Sequence, residues 1–335
     1  MTATTRLANP ESPSGSVSSV KSFNTAKPIQ GAPERKPRYR STPAPYLFVA
    51  PFVLLFVVFM LAPMVVAIYQ SFFTVKRSGL GFTGGRQTLF AGISNYLTAF
   101  HDHEFMTSFL RVLMFGVIQV PIMIGLSLVF ALLIDSTLVK FKKTAQIIVF
   151  LPYSVPVVVA AIMWGFLYQP GVSPIVKGLK SIGVTVSFLS PQTVLWSVGN
   201  VTTWCWVGVN MVIIFAGLQS IPQDIYEAAR IDGAGEFRIA WSIKIPMVMP
   251  SLMLTVLFSI IGTIQLFNEP SVLQSITGNV TAKYTPAMAV VNVTSQQNNQ
   301  NLGAAMAVIT ALITLVLSLI VSAIQQAAAK KEARS

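Results

Sequence analysis

Charge is scarce in this chain: only 10% of its 335 residues are Asp, Glu, Lys or Arg, against 53% hydrophobic residues, and the mean hydropathy is +0.66. Too few charges remain to cover a soluble globule, so composition places the chain in a membrane. Cysteine is nearly absent. The single thiol, Cys205, excludes a disulfide framework within the chain and any CxxC metal site, and implies no compartment. Histidine is as rare, with His101 and His103 in one loop, the run HDHE. Consecutive side chains there point in different directions, so neither a metal site nor a Ser/His/Asp or Cys/His nucleophile arrangement is expected. The dipeptide Gly-Lys does not occur, which removes the P-loop route to ATP.

What the chain does have is long apolar runs. A bilayer core of about 30 Å needs about 20 helical residues, and six runs qualify, at 46–69, 109–134, 147–167, 194–218, 246–267 and 302–324. Five lack Asp, Glu, Lys and Arg; the exception is Arg111, near enough to an end to snorkel. Pro51, Pro63, Pro121, Pro152, Pro156 and Pro250 mark kinks that neighbouring helices must support, so a bundle is implied. Residues 1–44, rich in Ser, Pro, Thr and Ala with basic residues between, have no periodic apolar face and read as a disordered cytoplasmic tail rather than a cleavable signal.

The net charge of +12 is explained by topology. With the N-terminus inside, sixteen of the 23 Lys and Arg residues fall on the inner side: the tail, Lys140/Lys142/Lys143, Arg230/Arg238/Lys244 and the last ten residues. That asymmetry follows the positive-inside rule, and nucleic acid is not an expected partner. The expected fold is an all-α membrane protein of six transmembrane helices with both termini cytoplasmic, a permease domain over 45–325 and a short tail at 326–335.

One polar segment interrupts the apolar pattern on the inner side, at 219–245, containing YEAARIDGAGEFRIAWSIKIP. Pro222 is placed to open a short helix, Gly233 and Gly235 permit a bend, and Pro246 opens the next span. Glu227, Arg230 and Asp232 charge the surface, Ala228 and Ala229 keep it low, and Ile225, Ala229, Phe237, Ile239 and Trp241 offer apolar contacts. It reads as a docking element rather than a catalytic one.

This segment resembles the EAA loop of the membrane subunits of ABC importers: Glu227, Ala228, Ala229, Asp232, Gly233 and Ala234 match its EAA and DGA elements. Ile243 and Pro246 fit its end, with Ile245 in place of a leucine. The resemblance covers about 45–325 and narrows to the maltose-transporter-like carbohydrate permeases through Asn95-Tyr96, LQSIPQDIYEAA and LFNEPSVLQSITG. Arg111-Val112 stands where Asn-Thr is common, and no Gly-Gly-Pro follows Gly278. The resemblance implies a type I ABC importer permease fold in the plasma (inner) membrane and no bond chemistry in this chain. Implied partners are a second permease subunit in a heterodimer, two ATPase subunits that use ATP and Mg, and an external sugar-binding protein. The short helix is expected to sit in a cleft of the ATPase and pass its closure to the spans.

A sugar path needs amide, hydroxyl and aromatic groups on one stripe. Helical spacing places Gly262, Gln265 and Glu269 on one face of the fifth span with Asn268 adjacent, and Thr202, Cys205, Trp206 and Val209 on one face of the fourth, with Asn210 next to it. Aligned through the loop, these stripes resemble the sugar-contacting positions of the maltose-type permease. The alternatives are amides bonding neighbouring helices, Trp204 or Trp206 in an interfacial belt, and a Glu269 wetted near a membrane end. An anionic solute, a proton-driven or sodium-driven transporter and a membrane enzyme are each disfavoured by the scarcity of ionisable groups in the spans.

Overall fold

The computed structural model describes residues 44–77, 86–136 and 139–332. The expected tail at 1–44 lies outside the described residues but for its last position. The chain divides into two units at Leu54. In the first, helix Ala44–Phe56 begins, and every side chain from Tyr46 to Leu54 is exposed. So apolar a surface is stable only against lipid or another protein.

The second unit is mostly helical, with one correction to the all-α expectation. Strands Phe73–Arg77 and Arg86–Phe90 form an antiparallel hairpin with Phe73 opposite Phe90, ring centroids 5.5 Å apart. The cross-strand aromatic pair is the kind of contact that holds a hairpin. Helix Ser94–His101 leads to the 33-residue helix His103–Asp135. Asp102 caps it, accepting from the Phe105 N–H at 3.1 Å.

Two expected spans are not single helices. The run at 147–167 is a bent pair, Lys142–Ser154 followed by Val157–Tyr168 at 93°. Proline removes an N–H and pushes the preceding residue toward extended backbone, and Val155 before Pro156 has φ −80° and ψ 127°. The fifth run is irregular near its end, where helix Met249–Ile264 closes and a second helix runs Asn268–Gln274, yet Met249–Gln274 still counts as one candidate span. Pro270 forbids the helical bond to Leu266, and the Leu266 carbonyl accepts from Thr285 Oγ1 at 2.7 Å instead. Five described helices are therefore long and apolar enough to cross a membrane, or six if the bent pair is one span. The last, Gln300–Glu332, continues beyond the expected end at 324.

The centre of the unit is the packing of His103–Asp135 against Val194–Gln219. Small and polar residues make the approach close: Ser127 Oγ donates to the Val207 carbonyl at 3.0 Å, and Gln119 Nε2 donates to the Gly199 carbonyl at 2.9 Å and to Thr203 Oγ1. A Cβ on Gly208 would collide with the Val149 carbonyl and come within 2.8 Å of Phe150 Cα, both backbone atoms. Gly208→Val should therefore destabilise the protein by about 1–3 kcal/mol, the usual cost of overpacking. Gly178→Ala, where a Cβ meets nothing within 4 Å, should be neutral. Thermal unfolding in detergent checks both.

Candidate functional site

The polar segment folds as two short helices around a turn. Helix Gln223–Ile231 starts after Pro222, which is its cap rather than its first residue, and closes at Asp232. Gly233 then takes φ +80°, a backbone conformation a β-carbon disfavours, and turns the chain into helix Glu236–Ile239. Arg230 and Glu236 bridge the turn at 3.0 Å. Glu227, Ala228, Asp232 and Gly233 are exposed, Ala229 and Ala234 half-buried, and Pro246 exposed at the start of the descending helix.

The five apolar residues expected on the docking face separate into two groups. Phe237 and Trp241 are 83% and 68% exposed, and Ile231, not singled out in the sequence, is 86% exposed. Ile239 is buried instead, and Ile225 and Ala229 pack inward on the core around Ile214, Leu218 and Tyr226. Position in a short helix decides this, since a two-turn element must spend one face on its own attachment.

The second feature is a cavity of about 450 Å³ between the fourth and fifth spans. Of the residues assigned to the path, Thr202, Trp206, Val209, Asn210, Gly262, Gln265, Asn268 and Glu269 line it; Cys205 does not, being buried in the core with Val201 and Leu266. The helical-spacing argument for 262, 265 and 269 does not carry across the irregular stretch 265–267, but Asn268 and Glu269 still line the same space. Among the described residues the side chains of Asn210, Gln265 and Asn268 make no hydrogen bond to protein, and all three line the cavity. Glu269 is 5% exposed and accepts from Thr202 Oγ1 at 3.4 Å, which corrects the reading of a wetted end residue. It is the one ionisable group in the lining, and no Lys, Arg or His joins it. Trp206 is accounted for by the lining, and Trp204 packs on Trp164 with centroids 6.1 Å apart, so the latter is held inside the bundle.

Sequence reasoning missed Met123, Phe258, Ser259 and Phe267 in this lining. Ser259, three residues before Gly262, continued the stripe and was there to be found; Met123 comes from another helix and carried no polar signal.

Residues 123–334 match the family described as binding-protein-dependent transport system inner membrane component. The chain belongs to this family. The permease is 30% identical over 274 residues to the osmoprotective compounds uptake permease protein GgtC of Synechocystis sp., covering 78% of this chain and 92% of the relative. It is 30% identical over 284 residues to the arabinooligosaccharides transport system permease protein AraP of Bacillus subtilis, covering 81% and 85%. With the sn-glycerol-3-phosphate permease protein UgpA of Shigella flexneri it shares 32% over 216 residues, covering 64% and 71%. Its fold is that of a chain in the crystal structure of a bacterial ABC transporter for the acidic polysaccharide alginate, with a TM-score of 0.72 at 20% identity over 84% of this chain and 95% of that one. It is a multi-pass membrane protein and a transport component.

At the far end of the permease from the EAA segment, the Asn95-Tyr96 pair has a structural task. Asn95 Nδ2 donates to the carbonyls of Ser71 and Phe73, each at 2.8 Å, and Tyr96 shares a hydrogen bond with Ser71 Oγ at 2.6 Å. The pair fastens helix Ser94–His101 to the end of helix Ala62–Ser71. Arg111 does not snorkel: its Nη1 donates to the Tyr284 carbonyl at 2.6 Å and the guanidinium lies 4.4 Å from that ring's centroid. Asp102, in the HDHE run, pairs with Lys283 at 2.6 Å.

Burial alone would raise the Asp102 carboxyl, but the Lys283 ammonium and the N–H groups of Phe105 and Glu104 outweigh it and hold the group below its ordinary value. A depressed carboxylate stabilises the fold above its unfolded pKa and loses that contribution as pH falls through the folded value. Melting temperature should therefore fall on acidification below about pH 4, and the fall should be smaller in Asp102→Asn than in the wild type.

Proposed function

We propose that this chain is the membrane-spanning permease subunit of an ATP-binding-cassette importer for a carbohydrate, a di- or oligosaccharide handed over by an external solute-binding protein. The observation that carries the reading is the cavity. It is lined by amides, hydroxyls and aromatic rings without a cation, and two of the helices that form it run directly into and out of the EAA segment. Unpartnered amides suit a solute of many hydroxyls, which both donate and accept, while indole and phenyl faces suit the apolar faces of a sugar ring. The arabinooligosaccharide relative supports the substrate class.

In this reading six spans cross the plasma membrane with both termini in the cytoplasm. A second, different permease subunit completes the path, and two ATPase subunits bind ATP and Mg. The exposed elbow from Glu227 to Gly235, with Ile231, Phe237 and Trp241 around it, seats in the ATPase. Closure of the ATPase pair pushes the elbow inward and switches the spans from inward-facing to outward-facing. The membrane chain performs no bond chemistry.

The glycerol phosphate relative favours a second reading, an anionic solute. A dianion in a cavity whose one ionisable residue is a glutamate has no charge partner, which weighs against it.

Uptake of labelled neutral di- and trisaccharides and of sn-glycerol 3-phosphate, with and without the gene and with ATP depletion, separates the two. Loss of ATP-dependent uptake of a neutral saccharide on deletion is the expected result; loss of the phosphate ester alone would overturn it. In the same assay Gln265→Leu should cut uptake about tenfold, the worth of one or two hydrogen bonds, with the subunit still inserted. Glu227→Lys should abolish transport without loss of the protein from the membrane, and normal uptake in that variant would remove the docking role.

A further inference from the structure

Where the EAA segment rejoins the membrane, Lys244 and Gln219 meet at one carboxylate, that of Asp135, with Lys142 on its backbone carbonyl and Tyr226 against Lys244. Asp135 is the last residue of helix His103–Asp135. Its Oδ2 lies 2.5 Å from Lys244 Nζ, and the two side chains are only 9% and 6% exposed. Its Oδ1 accepts from Gln219 Nε2, the last residue of helix Val194–Gln219, at 2.8 Å. Its backbone carbonyl accepts from Lys142 Nζ at 2.9 Å, at the start of the bent pair. Lys244 in turn stands 5.0 Å from the centroid of the Tyr226 ring, one residue before Glu227 of the motif. Lys244 is the last residue of the π-helical segment Ala240–Lys244 that leads from helix Glu236–Ile239 toward the fifth span.

Nothing in the assigned motif includes Asp135, Gln219 or Lys142. Yet Lys244 ties the returning end of the EAA segment to Asp135, and Gln219 and Lys142 tie the ends of their own helices to the same residue. Apolar packing around Ile239 and Tyr226 attaches the segment but leaves it free to slide, because dispersion contacts have little direction. A short, desolvated, two-acceptor ionic joint does not slide: moving either partner away leaves a buried charge unpaired.

We propose that Asp135 is the positioning residue of coupling, a node joined to Lys244 by a buried ion pair and to Gln219 by a hydrogen bond at the surface, so that displacement of the EAA segment is imposed on the second and fourth spans together. This rests on the importer reading above. The Tyr226 hydroxyl, buried and without a hydrogen-bond partner among the described residues, borders the node, and burial together with the Asp135 charge pushes its pKa up to about 12. It therefore stays a neutral donor beside the carboxylate, in reach of a partner when the node shifts.

The test uses two readouts on the full chain. Hydrogen exchange in Gln223–Ile231 is measured on the chain in lipid nanodiscs; solute taken up per ATP hydrolysed is measured on the assembled importer in proteoliposomes, with the saccharide identified by the uptake panel. Asp135→Asn and Lys244→Met should each speed exchange in that helix at least tenfold and lower uptake per ATP at least fivefold while ATP hydrolysis continues. The swapped pair Asp135→Lys/Lys244→Asp should recover both. The apolar pair Asp135→Leu/Lys244→Met should recover thermal stability but not uptake per ATP. Unchanged exchange in the single variants, unchanged uptake per ATP, or full recovery of coupling by the apolar pair would each overturn the proposal. A wild-type complex without ATP-dependent uptake would overturn the importer reading instead, while the exchange result would still decide whether the node holds the segment.

Discussion

Every peptide group placed in hydrocarbon must find its hydrogen-bond partner inside the chain, because no water is there to supply one. Most of this architecture follows from that constraint. Helices satisfy it internally, and where a proline breaks the ladder another group takes over. At the fifth span Pro270 frees the Leu266 carbonyl, and Thr285 occupies it. Polar side chains between helices obey the same rule, with Ser127 and Gln119 each reaching a carbonyl of the facing helix. Three amides that line the cavity, on Asn210, Gln265 and Asn268, stay unbonded to protein.

The irregular stretch 265–267 lies in the cavity wall, with the end of helix Met249–Ile264 before it and Asn268 and Glu269 after it. The fourth span ends at Gln219, in contact with Asp135, nine residues or about 14 Å along the axis from Asn210. The cavity and the EAA segment thus share their rigid members. A displacement at one end of such a helix is felt at the other without any intermediate pathway, since a packed helix moves as a body.

Surface and interior are used differently in the EAA segment than a motif alone conveys. Glu227, Ala228, Asp232 and Gly233 of the motif lie outward and Ala229 and Ala234 pack inward, while the residues that hold the segment in place, Tyr226, Ile239 and Lys244, are buried. The exposed charged residues and the attachment to the spans therefore fall on different faces of the same short helices.

The amino-acid sequence by itself determined the membrane class, the approximate position of each apolar run and the polar segment between the fourth and fifth, and eight of the nine residues picked on the two stripes line one cavity. Those properties depend on composition, local periodicity and contiguous motifs. Tertiary structure alone decided that Cys205 turns into the core, that Ile239 attaches while Phe237 and Trp241 protrude, and that Met123 joins the cavity. It also decided the meeting of Asp135 with Lys244, which are 109 residues apart. The bend in the third span was foreshadowed by Pro156, but its angle of 93° was not. A spacing rule describes one helix at a time, whereas burial and charge pairing are properties of the space between helices.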